Sequence, residues 1–285
     1  KGGVAIKKPN VPKKFKNKRY YEDPVRMYLK EMGRVPLLDR EGEVRVAQKI
    51  ETYQKMINQN VFKSGSTLRE MYNFLHRYRE HRVRLDQIFH IDLGTWIDKK
   101  QDAVIIEQFK EILKKNEATF NKIGEILDSC DYDESGNATR QEEIEALRND
   151  IVNTFNQLSY NEKLIKRMVY RIRSLVERIE ESYATINELT RIERYTIDEI
   201  CTYGRRAKKS PEDFEEVRKE TGIDPEIFIE TLRKIKNARR KIRRVELETK
   251  MTGSDLIFLL REIERAERNK ERAQHEMIEA NVRLV

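Results

Sequence analysis

The sequence predicts an all-α protein: a helical bundle with a short helix-turn-helix near the N-terminus and a large helical insertion. Three observations carry this expectation. Glycine and proline are scarce, 11 and 6 in 285 residues. Apolar residues recur at three- and four-residue intervals instead of alternating. Short capping side chains followed by proline punctuate the chain at Asp23-Pro24, Ser210-Pro211 and Asp224-Pro225, the pairing that begins a helix because the first helical N–H has no partner to lose.

The first segment, residues 1–19, is not helical by this pattern. It holds Lys1, Lys7, Lys8, Lys13, Lys14, Lys16, Lys18 and Arg19 with no acid, and carries Gly2, Gly3, Pro9 and Pro12. It reads as a disordered basic arm, either solvated or drawn to a polyanion. The other 50 Lys and Arg balance 50 Asp and Glu, so the arm accounts for the net charge of +8.

Residues 20–53 read as the helix-turn-helix. Asp23 caps a helix through Val25, Tyr28, Leu29 and Met32; Gly33 stops it, Pro36 prevents its continuation, and Asp39 caps a second helix. The expected inward stripe of that second helix is Val44, Ala47, Ile50 and Tyr53.

From 54 to 251 the chain becomes a series of charged amphipathic helices, an inserted helical domain. Its clearest member spans Asn161 to Glu193, where Ile165, Met168, Ile172, Leu175, Ile179 and Ile186 form a heptad-like seam broken by Ser182. Such a seam packs inside a bundle or joins two chains. Ser210 and Asp224 then place two more helix starts. Residues 252–285 form a last long helix with Leu256, Leu260 and Ile263 on one face. Its middle, Glu264 to Glu276, has only Ala266 and Ala273 as apolar residues and is expected to face solvent or a partner. The apolar ending Met277 to Val285 is cut off within a helix, which suggests a fragment.

The composition argues against catalysis. His76, His81, His90 and His275 show no HExxH spacing, and no Gly-rich phosphate loop, nucleophile elbow or CxxC occurs. The chain is expected to be no enzyme, with no catalytic residue and no cofactor. Two cysteines, Cys130 and Cys201, and no secretory or spanning apolar segment point to a reducing, cytosolic setting away from the membrane. One metal pattern exists: Asp131, Asp133, Ser135, Gly136 and Glu142 follow the spacing of a calcium loop. With Ala138 at a position that favours a larger aliphatic and no second loop to pair with, a polar loop opening a helix is the preferred reading, and no metal site is assigned.

Basic clusters offer more. Arg205-Arg206-Ala207-Lys208-Lys209 is one. The denser one, Arg233 to Arg244, holds eight bases and no acid, while Ile235, Ala238 and Ile242 keep an apolar stripe. It reads as a phosphate- or acidic-protein-binding surface, with Arg239, Arg240 and Arg243 as candidate partner-binding residues. The bland alternative pairs these charges with Glu246, Glu248 or acids of neighbouring helices.

Asp23 to Glu43, DPVRMYLKEMGRVPLLDREGE, resembles the region just ahead of the core-binding domain in primary (housekeeping) bacterial sigma factors of the sigma-70 family, whose usual pattern is close to DPVRMYLREMGxVxLLTREGE. Glu276 to Val285 resembles the start of the next conserved region, EMVEANLRLV, and such factors commonly carry a long helical insertion between the two. The resemblance implies a factor that binds RNA polymerase core and directs it to promoter DNA, with the front motif touching the non-template strand just downstream of the minus-ten element. On that reading Arg26, Leu29 and Lys30 are the DNA-binding residues: the two bases share a helix face and Leu29 supports an unstacked base. Tyr28 is better suited to the core, and Arg34 and Arg45 are second choices. The family's acidic N-terminal region is replaced here by the basic arm, and Asp39 stands where Thr is usual. The sequence also ends before the family's main polymerase-binding and promoter-melting helices, so weak promoter binding is expected of this chain alone. A rival reading is a helical protein-interaction scaffold that reads no DNA directly.

Overall fold

The computed structural model describes residues 38–90, 99–128, 137–193 and 195–282. Its helices are α1 (Arg40–Phe62), α2 (Gly65–Arg79), α3 (Lys99–Asp128), α4 (Asn137–Phe155), α5 (Glu162–Glu193), α6 (Ile197–Ala207), α7 (Pro211–Thr221), α8 (Pro225–Thr249) and α9 (Gly253–Val282), with a 3-10 turn at Leu85–Gln87. Among the described residues there is no strand, only an isolated antiparallel bridge of Phe89 with Tyr160. The expected all-α class therefore holds.

Contacts divide the chain into two units, Lys1–Gln48 with Ala273–Val285, and Lys49–Arg272. In the first, the described residues are 38–48 and 273–282, and Val46, Ala273 and Ala280 are buried. α1 corrects the expected stripe: Val44 is 50% exposed and Ala47 faces water, whereas Val46 is buried. The helix does not stop near residue 53, and over its full length Val46, Ile50, Ile57 and Val61 form the longer inward row. The three-four period was right; its phase follows the row that runs further along the helix.

The second unit is built on a large core to which α1 through α5, the end of α8 and α9 contribute. Rings meet at its centre: Phe62 lies 5.0 Å from Phe155 and 5.3 Å from Tyr160, and Phe89 lies 5.2 Å from Phe109. Burial drives the Tyr160 phenol strongly upward in pKa, which keeps it neutral. The segment between α2 and α3 is tied to the α4–α5 turn, with His90 N–H donating to Ser159 O at 2.9 Å and the Asn161 side chain donating to Asp86 O at 2.8 Å.

α5 fills the middle of this core. Ile165, Met168, Ile172, Leu175, Ile179 and Ile186 are all buried, so the seam packs within the chain. Ser182 is buried too, and its hydroxyl is satisfied by the Arg178 carbonyl of its own helix at 2.7 Å, which is how a polar break survives there. Ser210 and Asp224 cap α7 and α8 as expected, accepting from Asp213 N–H and Glu226 N–H, each with proline in the first turn. α7 ends on Gly222, whose φ of 70° an L side chain would resist.

The middle of α9 departs from expectation. Ala266 and Ala273 are buried, and the charges around Ala266 are used within the chain: Arg173 of α5 bridges Glu264 at 3.6 Å and Glu267 at 3.4 Å, and Lys270 Nζ donates to Gln54 at 2.6 Å and Glu162 at 2.5 Å. The turn expected to face solvent or a partner is held to α5 by ion pairs and to α1 by the Lys270–Gln54 hydrogen bond.

Candidate functional site

Two surfaces were expected to act, the front segment and the basic face of α8. The DNA-binding candidates Arg26, Leu29 and Lys30, with Tyr28 and Arg34, lie outside the described residues, as do the basic arm and Asp131 to Gly136 of the calcium-loop pattern. Glu142 is exposed on α4. Among the described residues no group of three or more His, Cys, Asp or Glu is placed to hold a metal ion, and none of the described helices is long and apolar enough to cross a membrane. Cys201 is a free, buried thiol.

What the structure shows of the front segment is its second capped start. Asp39 does the work predicted for it, accepting from Gly42 N–H at 2.7 Å while its carbonyl accepts from Glu43 N–H at 2.9 Å. Gly42 is required by this cap: a Cβ there would come within 2.8 Å of Asp39 Oδ1 and 2.9 Å of Leu38. Glu41 and Glu43 add negative charge to the first turn, which suits the positive end of the helix dipole. Arg45 is exposed one turn further on.

The basic face of α8 is built from the inside out. Phe228, Leu232, Ile235, Ala238 and Ile242 are buried and hold the helix against α5 and α6. Gly204 of α6 permits the close approach, since a Cβ there would sit 2.8 Å from Phe228 O and 3.1 Å from Leu232. With that stripe turned inward, every exposed position from Arg233 to Arg244 is Lys, Arg or Asn237.

Of the three candidate partner residues, Arg239 and Arg240 are exposed and have no ion pair among the described residues, whereas Arg243 bonds Asp128 of α3 and lies 3.9 Å from Glu246. Lys234 is paired with Glu230 at 3.0 Å. In the smaller cluster, Arg206 spans to Glu216 at 3.3 Å and Glu220 at 2.8 Å, and the bond to Glu220 raises its pKa. The structure thus divides the basic clusters into members paired within their own helix or to a neighbouring one, and members without an ion pair among the described residues that face water. Lys236 and Arg244, counted in the cluster from sequence but not singled out as partner residues, are exposed on one i, i+4, i+8 row with Arg240.

Residues 23–55 match the family described as Sigma-70 factor, region 1.2, so the Asp39 cap and the first turns of α1 belong to the matched segment. The two findings, this match and the similarity that follows, support a sigma-70 family sigma factor. A stretch of 66 residues is 36% identical to the RNA polymerase sigma factor RpoD of Neisseria gonorrhoeae. It makes up 23% of this chain and spans about a tenth, 10%, of the length of that relative.

Proposed function

We propose that this chain is part of a primary sigma factor: a non-catalytic, cytoplasmic protein that binds RNA polymerase core and helps direct it to promoter DNA. The observation that carries this reading is the match of residues 23–55 to sigma-70 region 1.2, with the Asp39-capped start of α1 at its centre. Within it, Arg26, Leu29 and Lys30 are proposed to contact the non-template strand downstream of the minus-ten element, the two bases through phosphate or base edges and Leu29 against an unstacked base. Residues 54–251 are proposed to be an insertion between the two family segments, and the α8 face with Arg239, Arg240 and Arg243 to be its contact with a polyanionic partner.

The test is made in the full-length factor reconstituted with core polymerase. Arg26→Ala combined with Lys30→Ala is expected to weaken binding to a forked downstream promoter template by roughly tenfold or more, as loss of two charged contacts of about 1 kcal/mol each implies, with core binding unchanged. Equal template affinity of variant and parent overturns the assignment of these residues. Failure of the intact factor to join core polymerase overturns the sigma-factor reading itself.

A further inference from the structure

We propose that α8 is a binding surface for the phosphate backbone of double-stranded nucleic acid, with Lys236, Arg240 and Arg244 as its central row. The row is regular. At 1.5 Å rise per residue, positions four apart lie about 6 Å apart along the helix and share one face. Flanking it are Arg233, Arg239 and Lys241, exposed like the row itself.

Pairing separates this surface from an ordinary charged helix. A solvated basic helix in a chain with 50 acids is expected to trade most of its charge with neighbours, as Lys234 does with Glu230 and Arg243 with Asp128. Lys236, Arg239, Arg240, Lys241 and Arg244 have no ion pair among the described residues, and the twelve residues from Arg233 to Arg244 contain no acid. Five like charges held within about three turns repel one another. The arrangement is relieved by a partner that presents a dense line of negative charge.

The class of partner follows from what the face lacks. A protein partner with acidic residues would be anchored by buried aromatic or aliphatic side chains at the centre of its interface, and between Arg233 and Arg244 every apolar residue, Ile235, Ala238 and Ile242, is turned inward. Exposed apolar groups occur on this helix only near its ends, at Ile227 and Leu247. A single strand would be gripped by stacking on aromatic rings, and α8 offers none outside the buried Phe228. Duplex backbone needs neither: it presents about one charge per 1.7 Å of axis and is bound by Lys and Arg with release of counterions. Ile235, Ala238 and Ile242 beneath the row are buried, so the face is already formed as helix before any partner binds. This proposal rests on the reading of the α8 face as a contact for a polyanionic partner and names that partner's class; it does not depend on Arg26, Leu29 and Lys30.

The experiment uses the full 285-residue chain without polymerase and a random-sequence 30-base-pair duplex, titrated by fluorescence anisotropy between 50 and 200 mM salt. Removing residues 1–19 in a parallel series separates the arm. With the arm absent, Lys236→Gln, Arg240→Gln and Arg244→Gln together are expected to reduce the slope of log K against log salt by about two to three, at roughly 0.9 for each phosphate no longer neutralised. Lys236→Arg, Arg240→Lys and Arg244→Lys together are expected to keep the parent slope. Polyglutamate of equal charge is expected to bind at least tenfold more weakly than the duplex. An unchanged slope in the Gln variant, or polyglutamate binding as tightly as the duplex, overturns the proposal, the second outcome assigning the face to an acidic protein. Melting curves of both variants matching the parent exclude misfolding as the cause.

Discussion

The main bundle and the corner made by α6, α7 and the first half of α8 use the same materials, amphipathic helices with polar caps, but hold together in different ways. Among the described residues, the bundle buries 35 apolar residues in one continuous core. The corner's cluster has only Ile200, Ala207, Val217, Phe228 and Ile235 among the described residues, covered by half-exposed Tyr195, Tyr203 and Phe214, with Cys201 and Leu232 buried beside it. Its centre is a single ring: Phe228 lies 5.3 Å from Tyr195 and 5.4 Å from Tyr203. A core of that size relies on local devices. α6 begins with a reciprocal capping box in which Thr196 and Glu199 satisfy each other's backbone, and Ser210, Asp224 and Gly222 secure the neighbouring helix ends. The lesson is that similar periodicity yields helices of unequal security, depending on how many neighbours share each apolar face.

The strongest way to break the comparison is to remove one ring from each region. Phe228→Ala and Phe155→Ala both delete a fully buried aromatic, each at a cost of about 3–5 kcal/mol. In the corner that loss is concentrated on a small core, so hydrogen exchange should show α6, α7 and the start of α8 losing protection while α5 and α9 keep theirs. Phe155→Ala should instead lower protection throughout the bundle, because its ring touches Phe62 and Tyr160. Equal loss of protection in both regions for Phe228→Ala would show that the corner is not a separate cooperative unit.

A smaller change sharpens the same point by adding atoms. Gly204→Ala places a methyl 2.8 Å from the Phe228 carbonyl oxygen and 3.1 Å from Leu232 Cβ, a backbone contact that cannot rotate away. Overpacking of this kind costs about 1–3 kcal/mol. The expected result is a fall in melting temperature with Cys201, one turn earlier on α6 and buried, becoming reactive to a thiol reagent. Unchanged thiol protection would mean that α6 shifts without opening.

Much of this architecture was legible in the sequence wherever the signal was local. Ser210-Pro211 and Asp224-Pro225 marked helix starts because a cap and a first-turn proline act within four residues. The α5 seam was legible because a buried central helix is apolar at nearly every inward position, Ser182 being the exception. Thr196 and Glu199 carry an equally local signal, a Thr three residues ahead of a Glu, that the proline-based reading of helix starts does not catch. What sequence could not set was phase and pairing. Val44 and Val46 offer α1 two inward faces, and only the packing of the longer row selects the second. Likewise Arg239, Arg240 and Arg243 read alike as a basic cluster, yet among the described residues only Arg243 meets a carboxylate, because Asp128 lies 115 residues away in sequence and is brought beside it by the fold.

The smallest expected effect concerns charge in place of apolar contact, at the join of α5 and α9. Lys270 is nearly buried, with 12% of its side chain exposed, and holds Glu162 of α5 and Gln54 of α1. The bond from Lys270, more than any other influence, lowers the Glu162 pKa from its ordinary 4.5. A carboxylate whose folded pKa is depressed stabilises the fold above its unfolded pKa and ceases to do so as pH falls through the folded value. Glu162 remains about half exposed, so solvent screens the pair and its worth is below about 1 kcal/mol. Glu162→Gln should therefore be slightly less stable than the parent at pH 7, and chemical denaturation at successive pH values should show the gap closing below pH 4.5. A gap that persists at low pH would assign the role of Glu162 to the hydrogen bond, which Gln retains in part, and a gap that is absent at pH 7 would leave this join to Ala266 and its apolar neighbours. In either case the corner should show no such dependence on Glu162, since its core contains neither partner.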